Sequence, residues 1–148
     1  MTTTAPTVDG RVVALAHYAS RALVENVLTA HGATFHQSVV IRAVALAAGS
    51  TSRDELVADV SGSLKVDESL VHGVIEELTA AKLLDETPGQ PSRIRLTDAG
   101  RELYEKTSTE GAEIADRLYA GIPADELAVA GRVLTLVTER ANAELAGA

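Results

Sequence analysis

The stretch from Val66 to Lys106, VDESLVHGVIEELTAAKLLDETPGQPSRIRLTDAGRELYEK, constrains the fold more than any other because its hydrophobic period changes twice. Leu70, Val71, Val74, Ile75 and Leu78 recur at i, i+3/i+4 spacing, the period of a helix with one buried face. Asp67 is placed to cap that helix by accepting from a free backbone N–H. After Lys82 the pattern becomes that of strands: LLDE and SRIRL flank Thr87-Pro88-Gly89-Gln90-Pro91, a turn that no helix survives. Thr97 then caps another helix, with Asp98 and Glu102 in its first turn, where the helix dipole favours negative charge. A helix followed by a hairpin that carries basic residues is a device for holding DNA.

Upstream, a first helix is expected from about Asp9 to Ala30, with Val12, Leu15, Ala16, Ala19, Leu23 and Val27 along one side. His31-Gly32 ends it, the glycine supplying a left-handed C-terminal residue. The second helix covers about Thr34 to Ala48, is apolar almost all round and is therefore expected to be buried, and Gly49 stops it. The third begins at Ser52, where Ser52-Arg53-Asp54-Glu55 has the form of a capping box, each side chain satisfying the other's free N–H. It is expected to end near Val60-Ser61-Gly62, which would supply the turn into the Val66–Lys82 helix. Two short helices joined by a glycine-containing turn make a helix-turn-helix, and the hairpin adds a wing. Thr97 to about Ala120 reads as one long amphipathic helix, broken by Gly121-Ile122-Pro123, with Pro123 opening a last helix to about Leu145. The fold class is thus mainly α with a small β-hairpin wing, a winged helix-turn-helix of six helices. Residues 1–8 read as a disordered tail and 9–148 as a single domain.

Hydrophobic residues make up 46% of the 148 but aromatics only 3%, so the core is expected to be Ala, Val and Leu packed between helices. There is no apolar run near the ~18 residues that a membrane span needs. MTTTAPTVDG lacks the charged and apolar segments of a secretory signal, and the expected location is the cytoplasm. The absence of cysteine removes disulfides, thiolate metal ligands and thiol-based redox sensing. Net charge is −8, unevenly spread. Residues 1–62 hold four basic and five acidic side chains, residues 63–97 hold four and six, and residues 98–148 hold five and ten. Most of the excess negative charge therefore lies away from the segment expected to face DNA, although that segment is not itself basic.

This order of elements, with RIRLTDAGRELYEK directly after the hairpin, resembles the MarR family of winged-helix transcriptional regulators over nearly the whole chain. The Leu-Thr-Asp-x-Gly motif, Leu96-Thr97-Asp98-Ala99-Gly100, is the most specific part. Thr34 to Ala47 is similar to the family's second helix, Asp54 to Leu84 matches its helix-turn-helix in apolar spacing and in the position of Ser69, and Gly121 to Val137 resembles the start of its last helix. The resemblance implies a DNA-binding lobe at about 34–97 and dimerisation helices at about 9–31 and 98–146. It further implies a homodimer on a roughly palindromic double-stranded operator, and a small-molecule or stress signal that weakens binding. The sequence departs from the family pattern in two places. Glu68, His72, Gly73 and Glu77 stand where relatives often carry Arg or Thr, and the wing lacks the usual Asp-x-Arg tip, leaving Gln90, Ser92 and Arg93 as substitutes.

On that fold, Ser69 and His72 lie one turn apart in the half of the recognition helix that enters a major groove, where both can hydrogen-bond base edges or phosphates. Lys65, just ahead of the helix, suits a phosphate. Arg93 and Arg95 alternate with Ile94 and Leu96, which turns both guanidiniums away from the core and towards a minor groove or its phosphates. Arg53, in the third helix's first turn, is a further candidate for backbone phosphate. Each of these positions also fits ordinary solvent-exposed polarity. In the family the ligand pocket usually lies near the first two helices. There His17, Tyr18, Arg21 and His36 would suit a small aromatic or anionic ligand, the arginine fixing a carboxylate and the rings lining the walls. The alternative is dimer-interface or surface polarity.

No metal site is expected: the four histidines are scattered, without His-x₃-His spacing, and no cysteine can join them. No cofactor is implied either. A phosphate loop after a strand, a nucleophile elbow and a loop carboxylate pair are all missing, so no catalytic residue is assigned and the chain is not expected to be an enzyme. The expected function is a dimeric sequence-specific regulator, a repressor released from its operator by a small ligand. The rival is a winged-helix protein–protein interaction module with little DNA affinity, suggested by the −8 charge, the missing wing motif and the acidic recognition helix.

Overall fold

A computed structural model describes residues 4–148. Its elements are α1 (Gly10–Ala30), α2 (Phe35–Leu46), β1 (Ser50–Ser52), α3 (Arg53–Leu64), α4 (Glu68–Ala80), β2 (Leu84–Thr87), β3 (Gln90–Leu96), α5 (Asp98–Tyr119) and α6 (Ala124–Ala146). The six helices fall where the hydrophobic periods place them. Of the tail expected over residues 1–8, residues 1–3 lie outside the described residues, and 4–8 carry no regular secondary structure. The chain divides into two compact units, one ending at Ile114 and the other covering Ala115–Ala148.

The first unit is built on a three-helix core closed by a sheet. Val40, Ile41 and Val44 of α2, Leu56, Val57 and Val60 of α3, and Val71, Val74, Ile75 and Leu78 of α4 meet Leu84, Ile94 and Leu96 from the strands. Each large aliphatic side chain buried here contributes roughly 1.5–3 kcal/mol relative to exposure, which makes this cluster the main source of the unit's stability. The four buried residues of α4 all belong to the stripe read from the sequence, whereas the fifth member of that stripe, Leu70, is 38% exposed. α2 likewise buries only one face, and Leu46 at its end is exposed.

The sheet has three strands rather than the two of a simple hairpin. β3 lies between β1 and β2 and is antiparallel to both. Ser50, Thr51 and Ser52 pair with Arg95, Ile94 and Arg93. Three residues are too few to display a period of two, which is why β1 has no signature in the sequence. On the other side Leu84, Asp85 and Glu86 pair with Leu96, Arg95 and Ile94, after which the register breaks so that Thr87 meets Gln90. The reversal is therefore confined to Pro88-Gly89, with φ +77° at Gly89, while Gln90 and Pro91 belong to β3.

Several helix ends depart from expectation for identifiable reasons. α3 runs through Gly62 to Leu64, and its reversal rests on Lys65 in the left-handed conformation, φ +58°. Asp67 occupies the N-cap position of α4 without making a side-chain cap bond. Ser52 does cap α3, accepting from the Glu55 amide at 3.1 Å, but the Glu55 carboxylate takes the Thr51 hydroxyl instead of completing a box. The complete capping box belongs to α2, where Thr34 and Gln37 satisfy each other's backbone N–H groups at 3.1 and 3.0 Å. Only Asp98 lies in the first turn of α5, whereas Glu102 pairs with Lys106 one turn further on.

The Leu-Thr-Asp-x-Gly motif joins three elements. Leu96 is buried, and the Thr97 amide donates to the Leu83 carbonyl at 3.1 Å. The Thr97 hydroxyl accepts from the Gly100 amide at 3.0 Å and donates to the Lys82 carbonyl at 2.7 Å. Gly100 has no alternative: a Cβ there would stand 2.1 Å from the Leu83 carbonyl oxygen. The end of α4, the base of the wing and the start of α5 are thus clasped by one hydroxyl and one missing side chain.

α1, also in the first unit, buries only Leu28, and Val13, Leu15, Tyr18 and Leu23 remain exposed. In the second unit, Gly121 (φ +77°) follows the end of α5 and Pro123 sits at the N-cap of α6 rather than in its first turn. α6 buries no residue at all, and Val129, Leu134, Leu136, Val137 and Leu145 are exposed. Among the described residues no helix is long and apolar enough to cross a membrane.

Candidate nucleic-acid interface

The polar side of α4 carries Ser69, His72, Gly73 and Glu76, opposite its buried stripe. Ser69 is exposed. His72 is half-buried, because Arg53 at the start of α3 reaches across to it and its Nε donates to the imidazole Nδ1 at 3.2 Å. Residues 19 apart in sequence are thereby joined on the face proposed to meet DNA. The sequence displays both residues but not their link, since the pairing depends on how α3 crosses α4.

Arg53 directly follows Ser52, whose backbone pairs with Arg93 in β3. The start of α3, the recognition helix and the wing strand therefore converge. Along β3, Ile94 and Leu96 are buried while Arg93 and Arg95 are half-exposed, the alternation expected of a strand with one wet face. The two arginines are not equivalent. Arg95 donates from Nη2 to Asp85 Oδ2 at 3.3 Å, an ion pair between directly opposed residues of β3 and β2. Arg93 has no ion-pair partner among the described residues. Its guanidinium keeps its full set of five N–H donors for a phosphate or a base edge.

Gln90 and Ser92 are exposed at the outer end of β3. Lys65 is exposed and its ammonium donates to the Gly62 carbonyl, closing the left-handed turn that ends α3. Glu77, on the flank of α4, accepts from Gln37 at 3.1 Å and so ties the start of α2 to the recognition helix. Glu68, Glu76 and Glu86 are exposed.

The four residues considered for a ligand are divided. Arg21 lies with its Cζ 4.0 Å over the Phe35 ring and also donates to Glu25 at 3.0 Å, and His36 neighbours the same Phe35. Phe35 thus ties Arg21 of α1 to α2 by a cation–π contact that no spacing rule across two helices could have shown. His17 and Tyr18 are exposed, their rings 6.1 Å apart. One cleft of about 610 Å³ lies at the base of the wing between Gly49, Ser50, Arg95, Thr97 and Arg101. No group of three or more His, Asp or Glu residues able to hold a metal occurs among the described residues.

No protein-family model and no curated protein matches the sequence. Solved structures do. BpsR of Bordetella bronchiseptica, whose DNA binding is regulated by 6-hydroxynicotinic acid, is 26% identical; the match covers 87% of this chain and 97% of that one, with a TM-score of 0.68. A MarR-family transcriptional regulator from Rhodococcus sp. RHA1 is 19% identical over 86% and 91% of the two chains, with a TM-score of 0.72. A mutant MarR from E. coli complexed with operator DNA is 19% identical over 86% and 91%, with a TM-score of 0.70. One of these structures is thus a transcriptional regulator, and another is held on operator DNA. The helix-turn-helix, the wing and the flanking helices together make this the fold of the MarR-family transcriptional regulators.

Proposed function

We propose that the chain is a dimeric, sequence-specific DNA-binding regulator of the cytoplasm, a repressor that a small aromatic or anionic ligand releases from a palindromic operator. The observation that carries this reading is the Arg93 guanidinium, without an ion-pair partner among the described residues, on a wing strand paired to β1, which leads directly into α3, with the polar side of the recognition helix facing outward. Two apolar faces left exposed, on α1 and on α6, support a second copy as partner. BpsR supports a ligand, and here Arg21 and His36 around Phe35 are the candidates to meet it, with His17 and Tyr18 along the same helix as Arg21. Ligand-bound and free dimers would differ in the spacing of two recognition helices, and only one spacing fits successive major grooves.

A second reading, a protein-docking module, is favoured by one observation: Asp85 pairs with Arg95, and α4 itself carries exposed Glu68 and Glu76 on its surface. Fluorescence anisotropy with the protein's own upstream DNA and with scrambled duplex, at two salt concentrations, separates the two. A regulator binds its site more tightly than about 10⁻⁷ M and at least roughly 10³-fold better than scrambled DNA. Arg93→Ala weakens that binding and lowers the salt slope by about one. Weak and equal binding to both duplexes would leave the docking module as the better account.

A further inference from the structure

The Arg53–His72 hydrogen bond fixes more than the packing of two helices. An arginine side chain has five N–H donors and no acceptor. When its Nε donates to the Nδ1 of His72, that ring nitrogen must hold a lone pair, and the imidazole proton must lie on Nε2. Nε2 has no hydrogen-bond partner among the described residues. The ring lies on the polar side of α4, between Ser69 one turn before and Glu76 one turn after. We propose that Arg53 is a positioning residue which locks His72 as the Nε2–H tautomer, so that the recognition helix presents a donor there and selects guanine at the base it meets. This inference rests on the DNA-binding reading above.

The selection follows from the edges exposed in a major groove. Guanine offers two acceptors, N7 and O6, adenine and thymine offer one each, and cytosine offers only its N4 donor. A ring carrying N–H at Nε2 therefore favours guanine and opposes cytosine. The opposite tautomer, with an acceptor at Nε2, would favour cytosine N4 or adenine N6. One bond from the neighbouring helix decides between these alternatives. The charged neighbours do not impose the opposite choice: Glu68 and Glu76, one turn to either side on α4, are exposed and make no hydrogen bond to the ring.

Nitrogen-15 NMR of the free full-length protein reads the tautomer directly. Wild type and Arg53→Lys, which keeps a donor, are expected to show His72 protonated at Nε2. Arg53→Glu places an acceptor at the first residue of α3, where negative charge is favourable for the helix, and should shift the population towards Nδ1–H. Selection from randomised duplexes then reads the consequence. Wild type and Arg53→Lys should enrich guanine at one position of each half-site, with roughly ten- to hundredfold discrimination against cytosine. Arg53→Glu should lose or invert that preference, and His72→Ala should level it at that position alone. A ring protonated at Nδ1 in the wild type overturns the proposal. So does a guanine preference that survives His72→Ala, or a tautomer that Arg53→Glu inverts without changing the selected base. A protein that enriches no sequence while showing the expected tautomer overturns the regulator reading, and base selection with it. A protein that selects a site indifferent to His72 overturns this inference and leaves the regulator standing.

Discussion

The helix-turn-helix core and α6 are both rich in Val, Leu and Ala, yet they use those residues in opposite ways. In the core, α2, α3 and α4 contribute ten buried side chains to one cluster sealed by Leu84, Ile94 and Leu96. In α6 no residue is buried, and Val129 and Leu145 stand more than half exposed. The core satisfies its hydrophobic faces within one chain. The α6 helix leaves its apolar side chains exposed, and the proposed dimer would cover them. Stability in the first region should therefore be independent of protein concentration, and in the second it should depend on it.

The largest test of this contrast is Ile75→Ala. The side chain is fully buried, so its loss should cost about 2–5 kcal/mol in urea unfolding whatever the protein concentration. Gly100→Ala comes next: a methyl group pressed into the Leu83 carbonyl should destabilise the core by about 1–3 kcal/mol, again without concentration dependence. Leu134→Asp or Val137→Asp on α6 should leave the core's own unfolding nearly unchanged but turn a dimer into a monomer in sedimentation, removing the concentration dependence of melting. A loss as large as that of Ile75→Ala, at every concentration, would break the comparison. His31 and Glu110, paired at 2.7 Å but partly solvated, should show a coupling below about 1 kcal/mol in a double-mutant cycle.

The smallest effect concerns Glu102, whose carboxyl is held below its usual range by the hydrogen bond and charge of Lys106 at 2.8 Å. A carboxylate depressed in the folded state stabilises above its unfolded pKa, and that contribution is lost as pH falls through the folded value. Because the pair is exposed, Lys106→Gln should return the Glu102 titration towards the ordinary carboxylate range in NMR without moving the unfolding midpoint.

What the sequence displays is what repeats. The α4 stripe, the alternation of Arg93 and Arg95 with Ile94 and Leu96, and the glycine stops at Gly32 and Gly121 are local patterns, and they place the helices, the inward side of the wing strand and two of the breaks. β1 escapes because three residues carry no period. The Lys65 turn escapes because nothing local obliges a lysine to take a positive φ, and nearby Gly62 looks the better turn former. At the candidate site the individual residues are legible, whereas their relations are not. That Asp85 occupies Arg95 while Arg93 is free depends on strand register, and that Arg53 holds His72 depends on the crossing of α3 and α4. The MarR-like motif Leu96–Gly100 was visible as a string of letters, but why its last position must be glycine emerges only when the Leu83 carbonyl is seen against it.

The clasp of Thr97 and Gly100 on Lys82 and Leu83 has a mechanical consequence. A joint with a hydrogen-bonded pin and no room for a side chain has no slack. A rotation of the first turn of α5 should therefore displace the Lys82-Leu83 turn that follows α4, as torque passes through a keyed shaft. The amides of Thr97 and Gly100 should then exchange with solvent only when the end of α4 opens as well, in a single cooperative event.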